Sequence, residues 1–253
     1  DTLDGKEYQI KSKVVVNATG VFVDDVMKMD ECDTRRQVRP SQGVHLVVDS
    51  KFLGGRSALM IPKTKDGRVL FGVPWHGKVV LGTTDTPLNE ASLEPRALEE
   101  EVDFILDQAG QYLDRKPTRA DVLSIFAGLR PLAAPTHADS KKTKEISRNH
   151  KIYRSKSGLL TITGGKWTTY RAMAEDVINQ AIVIGGLSPA ECVTKNLRVH
   201  GYTKEQFDEN DWNYVYGSDA SKIQKMIEKD PSFAEKLYEG YTFTAAHVVW
   251  AAR

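Results

Sequence analysis

The sequence has only two cysteines in 253 residues, Cys32 and Cys192, with neither metal-ligand spacing nor the partners a disulfide framework needs. That excludes a cysteine-built scaffold and a cysteine-rich zinc site, and the expectation is two buried thiols in a reducing compartment. No apolar run approaches the roughly 20 residues of a membrane-spanning helix, and no basic-then-apolar leader opens the chain. An excess of one charge is missing too: 35 Lys and Arg stand against 34 Asp and Glu, a net charge of +1. The chain therefore carries no electrostatic footprint for nucleic acid or an anionic membrane surface, and any anion site must be local. There is no internal repeat, and nowhere does G-x-G-x-x-G occur, the turn that seats a dinucleotide pyrophosphate. An initial Met is also missing, and the last residues, "TAAHVVWAAR", run through an apolar helical pattern without a C-cap, so the expectation is a piece of a longer protein.

What is present is an ordinary globular composition, 40% hydrophobic and 27% charged, enough for one large or two modest domains. "YQIKSKVVVNATG" predicts two strands, the second closed by a glycine turn and followed by a short helix over about 21–29. "QGVHLVV", "SALMIP", "RVLFGVP" and "KVVLGTTD" predict an antiparallel meander turning at Asp66-Gly67 and His76-Gly77. A helix is expected over 95–112, with Leu98, Val102, Ile105, Ala109 and Tyr112 on one face. "VLSIFAGLRP" predicts a further strand, and the polar, aperiodic residues 133–150 a surface loop or flap. The hairpin "HKIYRSKSGLLTIT" then leads into a helix expected to bury Tyr170, Met173, Val177, Ala181 and Ile184 and to end at Gly185-Gly186, before a charged helical region.

One junction has the wrong charges. "TITGGKWTTYRAMAED" runs from a strand into a helix, and a helix N-terminus carries about half a positive charge that ordinarily attracts Asp or Glu. Here Lys166 and Arg171 precede the first acid, Glu175. Two glycines, free N–H groups, two hydroxyls and a lysine suit an external anion or a developing negative charge; the plainer reading is a tight turn beside a solvated lysine. Other stretches have the same two sides. "VVVNATG" is a strand running into a glycine turn, as in any α/β fold. His45 in "GVHLVV" shares a strand face with Gly43 and Val47, either as a catalytic base or as a structural histidine. Arg130 in "AGLRPL" precedes a proline that holds the backbone extended, which aims the guanidinium, or it is a surface arginine in a turn. Thr83, Thr84 and Asp85 in "GTTDTP" end a strand, in a site or only in an Asx-type turn.

Taken together and in this order, "NATG", "QGVHLVV", "GTTD", "AGLRPL" and "GGKWTTYRAMAED" resemble the FAD-dependent glycerol-3-phosphate dehydrogenases, a branch of the D-amino-acid-oxidase-like flavoproteins. The likeness extends to "RVLFGVPWHGKVVLGTTD" and "TAAHVVWAAR", and so covers nearly the whole chain. It implies an α+β fold: an antiparallel or mixed-sheet substrate domain over 31–149, flanked by remnants of a Rossmann-like FAD domain at 1–30 and 150–187, with a partial C-terminal helical region over 188–253. It implies oxidation of sn-glycerol 3-phosphate to dihydroxyacetone phosphate, with electrons passing through FAD to a quinone or to oxygen. By the same resemblance Ala18, Thr19, Gly20, Gly164, Gly165, Thr168 and Thr169 would line the cofactor. Arg130 and Lys166 would meet the substrate phosphate or the oxygen on C2, and His45 would be the base. The anion missing from the junction would then be reduced flavin. A cytoplasmic setting is expected, and the resemblance allows peripheral attachment to the membrane. Without the pyrophosphate turn the isolated chain is expected to be inactive. Two other readings stay open: a related flavin amine oxidase, and a non-catalytic module that docks a partner through the 133–150 loop or the C-terminal helices.

Overall fold

Val44, Leu46 and Val48 alternate with half-buried neighbours along a 12-residue strand, and this period of two sets the architecture. In a computed structural model, which describes residues 1–134, 149–206, 211–239 and 241–252, the chain forms two compact units, Asp1–Cys192 and Val193–Arg253.

The first unit contains two sheets. The larger has six strands: β2 (Val38–Asp49), β3 (Leu59–Ile61), β4 (Leu70–Trp75), β5 (Lys78–Gly82), β6 (Thr86–Pro87) and β7 (Val122–Ala133). Its order is β3-β4-β5-β2-β6, with β7 antiparallel along most of β2. The expected meander is there, turning at Gly67 and at His76-Gly77, whose φ values of 47° and 71° match the primed turns that hairpins favour. One face is covered by α2 (Glu99–Ala109), whose Val102, Ile105, Leu106 and Ala109 meet Val44, Leu46, Val48, Phe52, Ile61, Leu70, Val79 and Leu81 in the main core. The helix is shorter than the pattern over 95–112 predicts. Glu101 closes its first turn by accepting from the Leu98 N–H, and Gly110 caps its end, so Tyr112 lies beyond it and is exposed.

The smaller sheet has the order β1-β9-β8, from β1 (Val16–Asn17), β8 (His150–Arg154) and β9 (Leu160–Gly164). β1 runs parallel to β9, while β8 and β9 form the expected hairpin. After β1 come a 3-10 turn at Gly20–Phe22 and α1 (Val23–Asp30). A 3-10 turn at Trp167–Thr169 leads from β9 into α3 (Tyr170–Ile184), which packs Val177 and Ala181 on Leu160 and Ile162 and stops at Gly185. The first of the two strands expected in "YQIKSKVVVN" does not form: residues 7–13 are exposed, and a strand without a neighbour has nothing to satisfy its backbone. Tyr170 is exposed rather than buried, because it sits at the first position of α3, ahead of the stripe that meets the sheet. Both cysteines are also exposed, contrary to the expectation of buried thiols; neither lies in a strand or helix that would carry it into a core. Of the expected loop over 133–150, residues 135–148 lie outside the described residues.

The second unit is helical, with a 3-10 segment at Trp212–Asp219, α4 (Ala220–Lys229) and α5 (Ala245–Ala251). Its buried His247 accepts the Thr244 N–H at Nδ1 (2.9 Å) and contacts Asn213 Oδ1 through Nε2 (2.9 Å), which fixes the start of α5.

Candidate active site

The candidate residues of the large sheet lie on its face turned away from α2. Strand alternation puts Ser41, Gly43 and His45 of β2 on that face, and the register puts Arg130, Gly128 and Phe126 of β7 directly beside them. The half-buried His45 ring stacks on Phe126, with centroids 5.0 Å apart and planes 11° from parallel. On the other side it lies over Gly82, where a Cβ would collide with the imidazole. Burial, and then the positive charge of Arg130, push the His45 pKa below the usual histidine value, so at neutral pH the ring is an uncharged acceptor.

Arg130 reaches back over Gly43, where a Cβ would strike the guanidinium; only glycine leaves that path clear. Its Nη2 donates to Thr83 Oγ1 at 2.9 Å, and its Nη1 stands 3.7 Å from Asp85 Oδ1. Asp85 also accepts from the Ser41 hydroxyl. Beside Gly43 lies Gly128, above which a Cβ would meet nothing within 4 Å. The guanidinium, which covers Gly43, and the imidazole thus stand one same-face step apart, roughly 7 Å along the strand, with the bare Gly128 beside them. An anion with a hydroxyl-bearing carbon next to it fits that spacing.

The remaining predicted residues gather at the small sheet. Because β1 and β9 are parallel, Ala18, Thr19 and Gly20 emerge at the same edge as Gly164, Gly165 and Lys166, the edge where ligands bind in open parallel sheets. Asn17 fixes the first of these turns: its Nδ2 donates to Val23 O (2.9 Å) and Thr161 Oγ1 (3.2 Å), and its Oδ1 accepts from the Thr19 hydroxyl (2.7 Å). Gly164 and Gly165 have φ of 79° and 75°, a conformation glycine takes without penalty. Gly164 packs close to Ala133 at the end of β7, three residues beyond Arg130, so the two groups of residues meet within one unit. Lys166 and Thr168 are exposed, whereas the Thr169 hydroxyl is used locally, donating to Lys166 O at 3.0 Å. As the charge pattern predicted, no acid lies in the first turn of α3 and no side chain caps it. The Tyr170 N–H already bonds to Trp167 O, so what this end offers the electron-rich edge of a bound group is the field of the helix N-terminus. The residues at this edge fit the ring end of a flavin; none here forms a pyrophosphate turn. A cavity among Val14, Val26, Met29, Arg154, Leu159 and Ile184 includes none of the candidate residues.

A family model described as FAD dependent oxidoreductase (DAO) matches residues 1–171, which include every residue considered above at both sheets except α3 beyond its start. The chain belongs to the FAD dependent oxidoreductase family. Among its relatives, the chain is 39% identical over 283 residues to a mitochondrial glycerol-3-phosphate dehydrogenase of Arabidopsis thaliana, covering 100% of this chain and 44% of that protein. It is 45% identical over 203 residues to the mitochondrial glycerol-3-phosphate dehydrogenase of Bos taurus, covering 79% of this chain and 28% of that protein. The chain thus spans less than half the length of these curated relatives. Its fold matches the glycerol-3-phosphate dehydrogenase of Bacillus halodurans complexed with FAD, with a TM-score of 0.78 and 30% identity over 98% of this chain and 51% of that one.

The structure brings His45 and Arg130 together as expected of a site, and sets Lys166 with the glycine turns at the adjoining sheet edge. Sequence reasoning missed Ser41, Gly43 and Phe126, whose place follows from pairing across β2 and β7, and it left Thr83 and Asp85 undecided between site and turn. A signal for the last two was available: in an extended "TTDT" successive residues face opposite ways, so Thr83 and Asp85 share a side.

Proposed function

We propose that this oxidoreductase carries the substrate side of an FAD-dependent glycerol-3-phosphate dehydrogenase that oxidises sn-glycerol 3-phosphate to dihydroxyacetone phosphate and passes the electrons to a quinone or oxygen. The observation that supports this most is the pairing, beside the bare Gly128, of an uncharged His45 with the Arg130 guanidinium on one sheet face. In this reading Arg130 binds the phosphate through its planar fork and Lys166 meets the same anion as a point charge. The bare Gly128 lets the short substrate approach the backbone. His45 accepts the C2 hydroxyl proton, which its lowered pKa leaves it free to do near neutrality. FAD, when bound, would supply the hydride acceptor. Ala18, Thr19, Gly20, Gly164, Gly165 and Thr168 would border the flavin ring, and the α3 N-terminus would favour negative charge at its edge. The substrate domain of this proposal is the six-stranded sheet with α2, and the small sheet belongs to the FAD domain. Among the described residues no helix is long and apolar enough to cross a membrane.

A guanidinium fork holds a carboxylate as well as a phosphate, which is the one feature an amine oxidase would share. The test uses the flavin-loaded full-length enzyme that carries this chain. Arg130→Ala and Lys166→Ala should each lower kcat/KM for glycerol 3-phosphate by about 30- to 150-fold, the loss of a charge-assisted phosphate contact, while flavin content holds. Unchanged kinetics in both variants would remove the two residues from the site, and turnover of glycine or sarcosine in place of glycerol 3-phosphate would favour the amine oxidase.

A further inference from the structure

The segment after β5 has two faces, and they point to different partners. Thr83 and Asp85 face the open side and hold Arg130. Thr84 and Thr86, the alternate residues, face the other way, and both donate to one carboxylate oxygen, Glu101 Oε1, at 2.9 and 2.6 Å. The second oxygen, Oε2, accepts from Gln42 Nε2 at 2.7 Å and from the Leu98 N–H at 3.0 Å. Glu101 is 3% exposed and takes four hydrogen bonds, none of them from a Lys or Arg among the described residues. Thr84 is held from the β2 side as well, accepting the Val44 N–H at 3.0 Å.

A buried carboxylate is costly unless its lone pairs are filled, and an apolar residue at the third position of an amphipathic helix would have packed on this core at less cost. Burial alone would raise the Glu101 pKa, but the Leu98, Thr86, Gln42 and Thr84 donors outweigh it and hold the carboxyl below its ordinary value. The group is therefore a fixed acceptor at neutral pH. It ties the first turn of α2 to β2 and to the 83–86 segment. Residues 83–85 lie between β5 and β6, and their hydrogen bonds set them in opposite directions, Thr84 and Thr86 to Glu101 and Thr83 and Asp85 to Arg130, so fixing the first pair in so short a segment fixes the second.

We infer that Glu101 is a positioning residue for Arg130, acting through the sheet: its grip on Thr84 and Thr86 sets Thr83 and Asp85, and these aim the guanidinium over Gly43. This rests on the reading of Arg130 as the anion-binding group. It carries a clear asymmetry, because disturbing Glu101 should affect the anion end of the substrate and leave His45 chemistry in place.

The experiment combines kinetics with a chemical probe on the flavin-loaded full-length enzyme. Glu101→Gln should raise KM for glycerol 3-phosphate about 10-fold and change kcat much less. It should also speed phenylglyoxal modification of Arg130, followed by mass spectrometry, several-fold. In a Glu101→Gln/Arg130→Ala double variant the two KM effects should not add, since one acts through the other. Thr86→Val removes one bond to the same carboxylate at nearly constant volume and carries the same expectations at smaller size, so the test survives poor folding of Glu101→Gln. Full additivity, or an Arg130 modification rate equal to that of the parent enzyme in a folded variant, would overturn the inference. If the modification rate rises but no version turns over glycerol 3-phosphate, Glu101 still positions Arg130 and it is the proposed function that fails.

Discussion

At the scale of single residues, the prediction that separates a base from a core histidine is a pH profile. His45 is held below its ordinary pKa first by burial and then by Arg130, so the active neutral form should persist to below about pH 6.5 and the acid limb of kcat should fall there. Removing Arg130 takes away the smaller of the two causes, so Arg130→Ala should move that limb toward higher pH, while His45→Ala should abolish it and lower kcat with flavin retained. An acid limb indifferent to both variants would make His45 structural. The same shift acts on stability. The unfolded chain protonates His45 first as pH drops, so this residue's contribution is complete above about pH 6.5 and is lost as pH falls toward its folded value. His45 and Arg130 were legible because each carries its own local signal, an imidazole with a fixed strand face and a guanidinium ahead of a proline. Glu101 gave no such signal. Within "EPRALEEEVDF" it is one of three successive acids at a helix start, where acids are expected for dipole reasons alone. Only the packing of α2 against β2 and the 83–86 segment singles it out.

At the scale of elements, the meander, β7, the β8–β9 hairpin and α3 all follow from periods and turn residues that act over a few positions. The failures share a cause: they concern positions whose state depends on a partner far along the chain. Residues 7–13 have strand-like alternation but no neighbour, and Tyr170 obeys the helical period yet precedes the part of α3 that meets the sheet. The Gly164-Gly165 turn makes the element-scale prediction. At Gly164 a side chain would be strained by φ of 79°, and its Cβ would stand 2.8 Å from Asn149 O. Gly164→Ala should therefore destabilise the protein by about 1–3 kcal/mol in denaturant titration. A midpoint equal to that of the unsubstituted protein would mean that the junction is not built on this turn.

At the scale of the whole molecule, the first unit holds two separate apolar clusters, one under the six-stranded sheet and a smaller one between the small sheet and α3. The larger joins α2 to the strands of the six-stranded sheet, whereas the ends of β1 and β9 carry no pyrophosphate turn to anchor a dinucleotide. Produced alone, this 253-residue chain is expected to fold cooperatively, to purify colourless and to oxidise no glycerol 3-phosphate with dye acceptors even when FAD is added. A yellow product with stoichiometric flavin would show that the ends of β1 and β9 hold the cofactor unaided. The parallel pairing of β1 with β9 also sets an order of events during synthesis. Asn17 bonds to Thr161, 144 residues later, so β1 leaves the ribosome long before its partner exists. At roughly 5–20 residues per second the delay is about 7–30 s. All strands of the large sheet emerge within that interval. The substrate-side sheet can thus close first, as an insertion between two halves still waiting to meet, and until they do the "VVV" of Val14–Val16 is a stretch for a chaperone to cover.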